Sequence, residues 1–139
     1  MTVEKTQLEQ QENSDLFASL YTYQYALLKT FRKNGDAVPT PIWFANENGK
    51  LYITTAHTAG KMKRIRNNGR ATLTPCDQRG RIIGDGQEVA GIAREVPDAE
   101  YAHANAVLLR KYKLMYRVFG LLRLLTGRKN TYIEISPVA

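Results

Sequence analysis

At 139 residues the chain suits a single domain with one core, and its 43% apolar and 24% charged make-up is that of an ordinary globular protein. No stretch approaches the roughly 20 apolar residues of a membrane span, and the opening MTVEKTQLEQQENSD is too polar for a signal peptide. The net charge of +7 points to an anionic partner, while the lone Cys76 excludes an internal disulfide and makes the cytoplasm the expected compartment.

Residues 1–22 are Gln/Glu-rich at their start and predict an N-terminal arm or short helix, with a single domain over 23–136. The first strands are QYALLKTFRK, AVPTPIWFAN and KLYITTA, separated by Asn34-Gly35 and Asn48-Gly49. Asn-Gly between β-rich runs signals a hairpin, because the turn needs positive φ, so the three runs read as an antiparallel meander. Pro39 and Pro41 stand two apart on one side of the second strand. Neither can donate to a ladder, so that edge is unpaired, bulged or facing a ligand.

After Ala56 the period changes. Thr58 is placed to cap a short helix, AGKMKRIRNN, and Gly69 to close it in the left-handed conformation. RATLTPCD then reads as a strand and Gln78-Arg79-Gly80 as a turn. IIGDGQEVAGIAREV reads as a long strand bulged at its glycines. Pro97, Asp98 and Glu100 open the main helix. Its apolar stripe runs through Tyr101, Leu108, Tyr112, Met115, Phe119 and Leu122 to a stop near Gly127, and TYIEISP closes the chain as a strand. The fold class predicted is mainly β (α+β): a six-stranded antiparallel split β-barrel with Greek-key connections, one short helix and one long one.

Two intervals contain no acid. The first, between Glu47 and Asp77, holds Lys50, Lys61, Lys63, Arg64, Arg66 and Arg70. The second, between Glu100 and Glu134, holds Arg110, Lys111, Lys113, Arg117, Arg123, Arg128 and Lys129. The first is the more pointed. A helix N-terminus already carries partial positive charge, and cations there cost a few tenths to about 1 kcal/mol. Lys61, Lys63 and Arg64 in the first turn make sense if an anion sits there. A phosphate surrounded by N–H groups, the Thr54 or Thr55 hydroxyl and a lysine is the natural choice. Solvated side chains are the alternative.

PTPIWF, followed by TTAHTAGKMKRIRNNGRATLTPCDQRG, resembles the pyridoxamine 5'-phosphate oxidase-like flavin-binding split-barrel superfamily, and within it the branch of F420-dependent oxidoreductases. The resemblance covers about residues 23 to 136. It implies that Pro41, Ile42 and Trp43 lie along the cofactor ring and ribityl chain. It implies that Thr54, Thr55, Ala59, Gly60, Lys61 and Lys63 bind the phosphate. Where the oxidases carry Arg-Lys this chain has Gly60-Lys61, so Lys63 or Arg64 replaces the missing cation. A glutamine on the fifth strand reaches the ring in the oxidases, and Gln87 lies close to that position.

The resemblance also implies a homodimer with coenzyme F420 or FMN at the interface, passing hydride to or from a small organic substrate. The alternatives are an FMN-binding oxidase or reductase, or a non-catalytic binder of cofactor or haem with His57 as the sequence-local axial ligand. Cys76 is expected to be buried and His103 structural. No residues cluster as metal ligands or as a hydrolytic triad. The basic segment YRVFGLLRLLTGRK is read as covering the barrel, without stable membrane association. Its aromatics follow a packing stripe, so nucleic acid is not an expected partner.

Overall fold

The computed structural model describes residues 16–112 and 130–138. Seven strands form one antiparallel sheet: β1 (Tyr25–Phe31), β2 (Ala37–Trp43), β3 (Ala45–Glu47), β4 (Lys50–Ala56), β5 (Arg70–Cys76), β6 (Val89–Glu95) and β7 (Asn130–Pro137). Helix α1 (Gly60–Asn67) follows β4. A 3₁₀ turn, Asp98–Glu100, leads into a second helix, α2, described over 101–112. The expected stripe residues Met115, Phe119 and Leu122, and the stop at Gly127, lie outside the described residues. The sheet order is β2-β1-β5-β6-β7-β4-β3.

The six expected strands are therefore seven. The run AVPTPIWFAN breaks at Phe44, where the chain leaves one partner for another. Residues 37–43 pair with β1, and residues 45–47 pair with β4. At the break the Phe44 N–H donates to the Tyr112 hydroxyl (3.0 Å), which donates in turn to the Phe44 carbonyl (2.6 Å). Lys111 Nζ also donates to that carbonyl, at 2.7 Å. Helix α2 thus satisfies the polar groups that a ladder would otherwise hold. Since β2 and β3 are the two ends of the sheet order, a single residue links them, and the sheet curls into a half-barrel.

The interior is filled by Leu28, Phe44, Leu51, Ile53, Met62, Leu73, Ile133 and Ile135, together with Phe17 and Leu20 from the segment ahead of β1. The outer face around Ala45 and Tyr52 is covered by Ala104, Val107, Leu108 and Tyr112 of α2. Burial on both faces explains the run of buried residues Ala26–Leu28 in β1, where strict alternation would leave one face polar.

Three other expectations shift. Asn48 (φ 51°) and Gly49 (φ 76°) make the expected tight turn, but Asn34-Gly35 sits within a longer loop over 32–36. There Gly35 alone has positive φ, and its N–H donates to the Arg32 carbonyl. Helix α1 is capped by Ala59 without a side-chain bond, so Thr58 does not cap it. It ends at Asn68 in extended conformation. Gly69 is required for a different reason than a left-handed stop: a Cβ there would lie 2.7 Å from the Ala93 carbonyl oxygen, where β6 passes the helix end. Finally, the long strand from Ile82 shortens to Val89–Glu95. Gly80, Gly84 and Gly86 all have positive φ, and among the described residues the backbone bridge Cys76↔Ile82 and the Lys29–Glu88 ion pair join the loop over 77–88 to the sheet.

Candidate functional site at the split of the barrel

Beyond Tyr52, strand β4 loses β3 as a neighbour, so Ile53–Ala56 pair only with β7. Strand β2 likewise pairs only with β1. These two free edges border a cavity of about 430 Å³. Pro41, Ile42 and Trp43 line it from β2, Thr54 from β4 and Lys61 from α1. Leu108 and Tyr112 close it from α2, and Tyr25, Gln78 and Arg79 complete the rim. Its volume falls in the range of about 300–1,000 Å³ typical of small-molecule sites.

Three aromatic side chains of the lining pack together. The Trp43 and Tyr112 rings stack with centroids 5.6 Å apart and planes at 26°, and Tyr25 packs on Trp43 at 6.2 Å. Burial pushes the Tyr112 hydroxyl up to about 12. Lys111 lies over the Phe44 ring at 4.1 Å, and burial lowers its pKa.

The lining also includes a cation. Lys61 is half-buried, and burial, with Arg64 alongside, holds its pKa below the ordinary lysine value. Arg64 donates through Nε to Thr30 Oγ1 at 2.6 Å, and its pKa is lowered by burial and then by Arg32. Among the described residues no carboxylate pairs with Lys61 or Arg64. The two neighbouring cations leave local positive charge that no described acid offsets. Thr54 stands at the same cavity, its hydroxyl donating to the Thr131 carbonyl at 3.2 Å.

Of the residues expected from the sequence, Pro41, Ile42, Trp43, Thr54 and Lys61 line one cavity. Thr55 is buried in β4 opposite Thr131, Ala59 caps α1, and Gly60 and Lys63 are exposed in its first turn; none of these lines the cavity. Gln87 is exposed in the loop before β6, with its N–H on Asp85 Oδ1, because strand β6 starts only at Val89. Tyr25, Gln78, Arg79, Leu108 and Tyr112 join the lining without having been singled out as site residues. Tyr112 reads in sequence as one more packing residue of a helical stripe, and Gln78-Arg79 as a turn. Asp77 fixes that turn by accepting the N–H groups of Arg79 and Arg81, both at 2.9 Å.

Two further polar clusters serve structure. Glu134, buried in β7, accepts from Tyr52 Oη (3.1 Å) and Arg94 Nε (3.0 Å), with Lys50 Nζ at 3.6 Å. Burial pushes its pKa up, but these partners outweigh burial and hold it below the usual carboxylate value. His57 borders a separate cleft of about 280 Å³ with Glu95, Asp98 and Tyr101, where Glu95 is held by Arg66 and by the Thr131 hydroxyl. His103 pairs with Glu47 at 2.9 Å, and Cys76 is buried. Among the described residues no His, Cys, Asp or Glu cluster is arranged to hold a metal, and no helix is long and apolar enough to cross a membrane.

The half-barrel, its two helices and the cavity at the split form a split-barrel fold. Solved structures share it over nearly the whole chain at low identity. A Listeria innocua protein described as a candidate pyridoxamine 5'-phosphate oxidase superposes with a TM-score of 0.60 at 14% identity, covering 91% of this chain and 94% of its own. A structure described as an F420 reductase gives 0.56 at 20% identity, with 87% and 92% covered. HutZ, the haem storage protein of Vibrio cholerae, gives 0.62 at 14% identity, with 98% and 89% covered. The chain matches no family description and no curated protein.

Proposed function

We propose that this chain is an oxidoreductase that binds a flavin-type cofactor, FMN or coenzyme F420, in the cavity at the split of the barrel. The observation that carries this reading is the presence, in one cavity, of the Trp43–Tyr112 stack and the Lys61 ammonium, which no described carboxylate pairs. A ring that carries a phosphate suits both the aromatic and the cationic parts of this lining. Lys61 holds the phosphate, Thr54 joins it by turning its hydroxyl from the Thr131 carbonyl to a phosphate oxygen, and Lys63 and the first turn of α1 add positive potential from outside the lining. Trp43, Ile42 and Pro41 face the ring system, and Tyr112, fixed by its two bonds to Phe44, keeps the aromatic wall in place. The cofactor supplies hydride transfer with a small organic substrate, and the protein supplies position and shields the ring from water.

In this reading the chain works as a homodimer with the cofactor at the interface. Exposed Ile92 on β6 and exposed Val138 just after β7 support a covered surface, and light scattering of the purified protein tests it. A haem-binding role is less well supported, because His57 lines the separate polar cleft and is not part of the cavity.

Titration of the purified protein with FMN and F420 side by side, followed by fluorescence and thermal shift, tests the assignment. We expect micromolar or tighter binding of one of them and its loss in Lys61→Ala. Binding of neither overturns the enzyme reading.

A further inference from the structure

The free edge of β2 has an unusual hydrogen-bonding character. In an antiparallel ladder, alternate residues direct their N–H and C=O toward opposite neighbours. Val38, Thr40 and Ile42 stand opposite Thr30, Leu28 and Ala26 of β1 and can exchange bonds with them. Pro39 and Pro41 occupy the alternate positions, so their backbone groups point away from β1. Among the described residues no strand neighbours β2 on that side. An ordinary residue at such a place offers one donor and one acceptor. A proline offers the acceptor alone. Two successive outward positions therefore present carbonyls without any N–H, and Pro41 is part of the cavity lining. Among the described residues no hydrogen bond is made to either carbonyl. A further strand is a poor occupant, since it needs donors from this edge as well as acceptors.

The suitable occupant is a ring edge that donates. This bears on the redox state of a flavin, and the argument rests on the cofactor reading above. Oxidised FMN offers its N5 as a hydrogen-bond acceptor. Uptake of two electrons and a proton turns N5 into an N–H donor. We propose that the acceptor-only edge at Pro39 and Pro41 makes the cavity prefer the reduced flavin, and so raises the reduction potential of the bound cofactor. Pro41 is then a specificity-determining residue acting through the hydrogen bond it is unable to give. Replacing it with alanine returns an N–H to the cavity, and that donor favours the oxidised ring.

The test is anaerobic titration of the full chain with oxidised FMN and with dithionite-reduced FMN, and the midpoint potential of the complex. We expect reduced FMN to bind at least tenfold more tightly, equivalent to a potential raised by about 30 mV for a two-electron couple. Pro41→Ala is expected to cut that ratio at least threefold, and Pro39→Ala, outside the cavity lining, to cut it less. Equal affinity for the two redox states in the wild type overturns the inference and leaves the cofactor reading standing. So does a ratio unchanged in a folded Pro41→Ala variant. Binding of neither state overturns this inference and the FMN form of the cofactor reading, and the F420 titration then decides the rest of that reading. The wild-type ratio decides the question even if a variant fails to fold.

Discussion

The Tyr112 hydroxyl accepts the Phe44 N–H at 3.0 Å and donates to the Phe44 carbonyl at 2.6 Å, across 68 residues of sequence. One side chain of α2 thereby holds the corner where the sheet turns from β2 into β3. The same side chain stacks on Trp43 at the cavity wall. Stability of the corner and shape of the site are coupled through it.

Tyr112→Phe separates the two roles. The ring and its stack on Trp43 are kept, but the buried Phe44 N–H loses its acceptor, while the carbonyl keeps Lys111. A buried donor left without a partner costs about 1–3 kcal/mol. Urea denaturation should show a loss of that size, with FMN affinity changed much less than in Trp43→Ala.

Lys61 should weaken the free protein while serving the bound one. Burial, then Arg64, lowers its pKa from 10.5, so the folded chain releases this proton before the unfolded chain does. Where the unfolded state binds more protons, stability rises with pH. The wild type should therefore gain stability as pH climbs through the lowered folded pKa toward 10.5, and Lys61→Met should lack that gain. At pH 7 the variant should be as stable as the wild type or more so, yet lose at least tenfold in affinity for FMN. Thermal melts at pH 7 and pH 10, with and without FMN, check both halves.

Glu95 carries a dependence of the same sense on the acid side. Its hydrogen bond from Arg66 outweighs burial and, with the Thr131 hydroxyl, lowers its pKa from 4.5 to about 2. Its contribution is fully present above 4.5 and is lost as pH falls from there through about 2. Because both partners of the pair are part-exposed, the contribution after screening is about 1–2 kcal/mol. Denaturation midpoints between pH 2 and pH 5 should fall in the wild type and fall less steeply in Glu95→Gln.

Gly69 should tolerate no side chain. Its backbone is not in the left-handed region, so conformational preference does not forbid alanine, but the added Cβ would sit 2.7 Å from the Ala93 carbonyl oxygen. That oxygen belongs to β6, whose Ala93 N–H is bonded to the Gly69 carbonyl at 2.7 Å, so neither partner is free to retreat. Gly69→Ala should cost about 1–3 kcal/mol of stability. An unchanged melting temperature would show that β6 yields more readily than this packing implies.

Local pattern was enough to place most of the elements. KLYITTA is β4 without adjustment, RATLTPCD and TYIEISP match β5 and β7 within a residue, and AGKMKRIRNN contains α1. The proline-bearing edge and the lysine at the start of α1 were also legible, because the missing donor and the cation at a helix start are properties of the residues themselves. What the tertiary structure alone decided is where strands change partners. Nothing within AVPTPIWFAN marks Phe44 as a corner, since the groups that make it one, Lys111 and Tyr112, come from α2. Likewise three glycines with positive φ turn the stretch before Val89 into a loop and leave Gln87 in solvent, although its neighbours read as strand. Short-range periodicity records which face of an element is apolar. The pairing that ends a strand, and the loop that brings Arg79 to the cavity, depend on contacts between distant segments, which a local pattern does not carry.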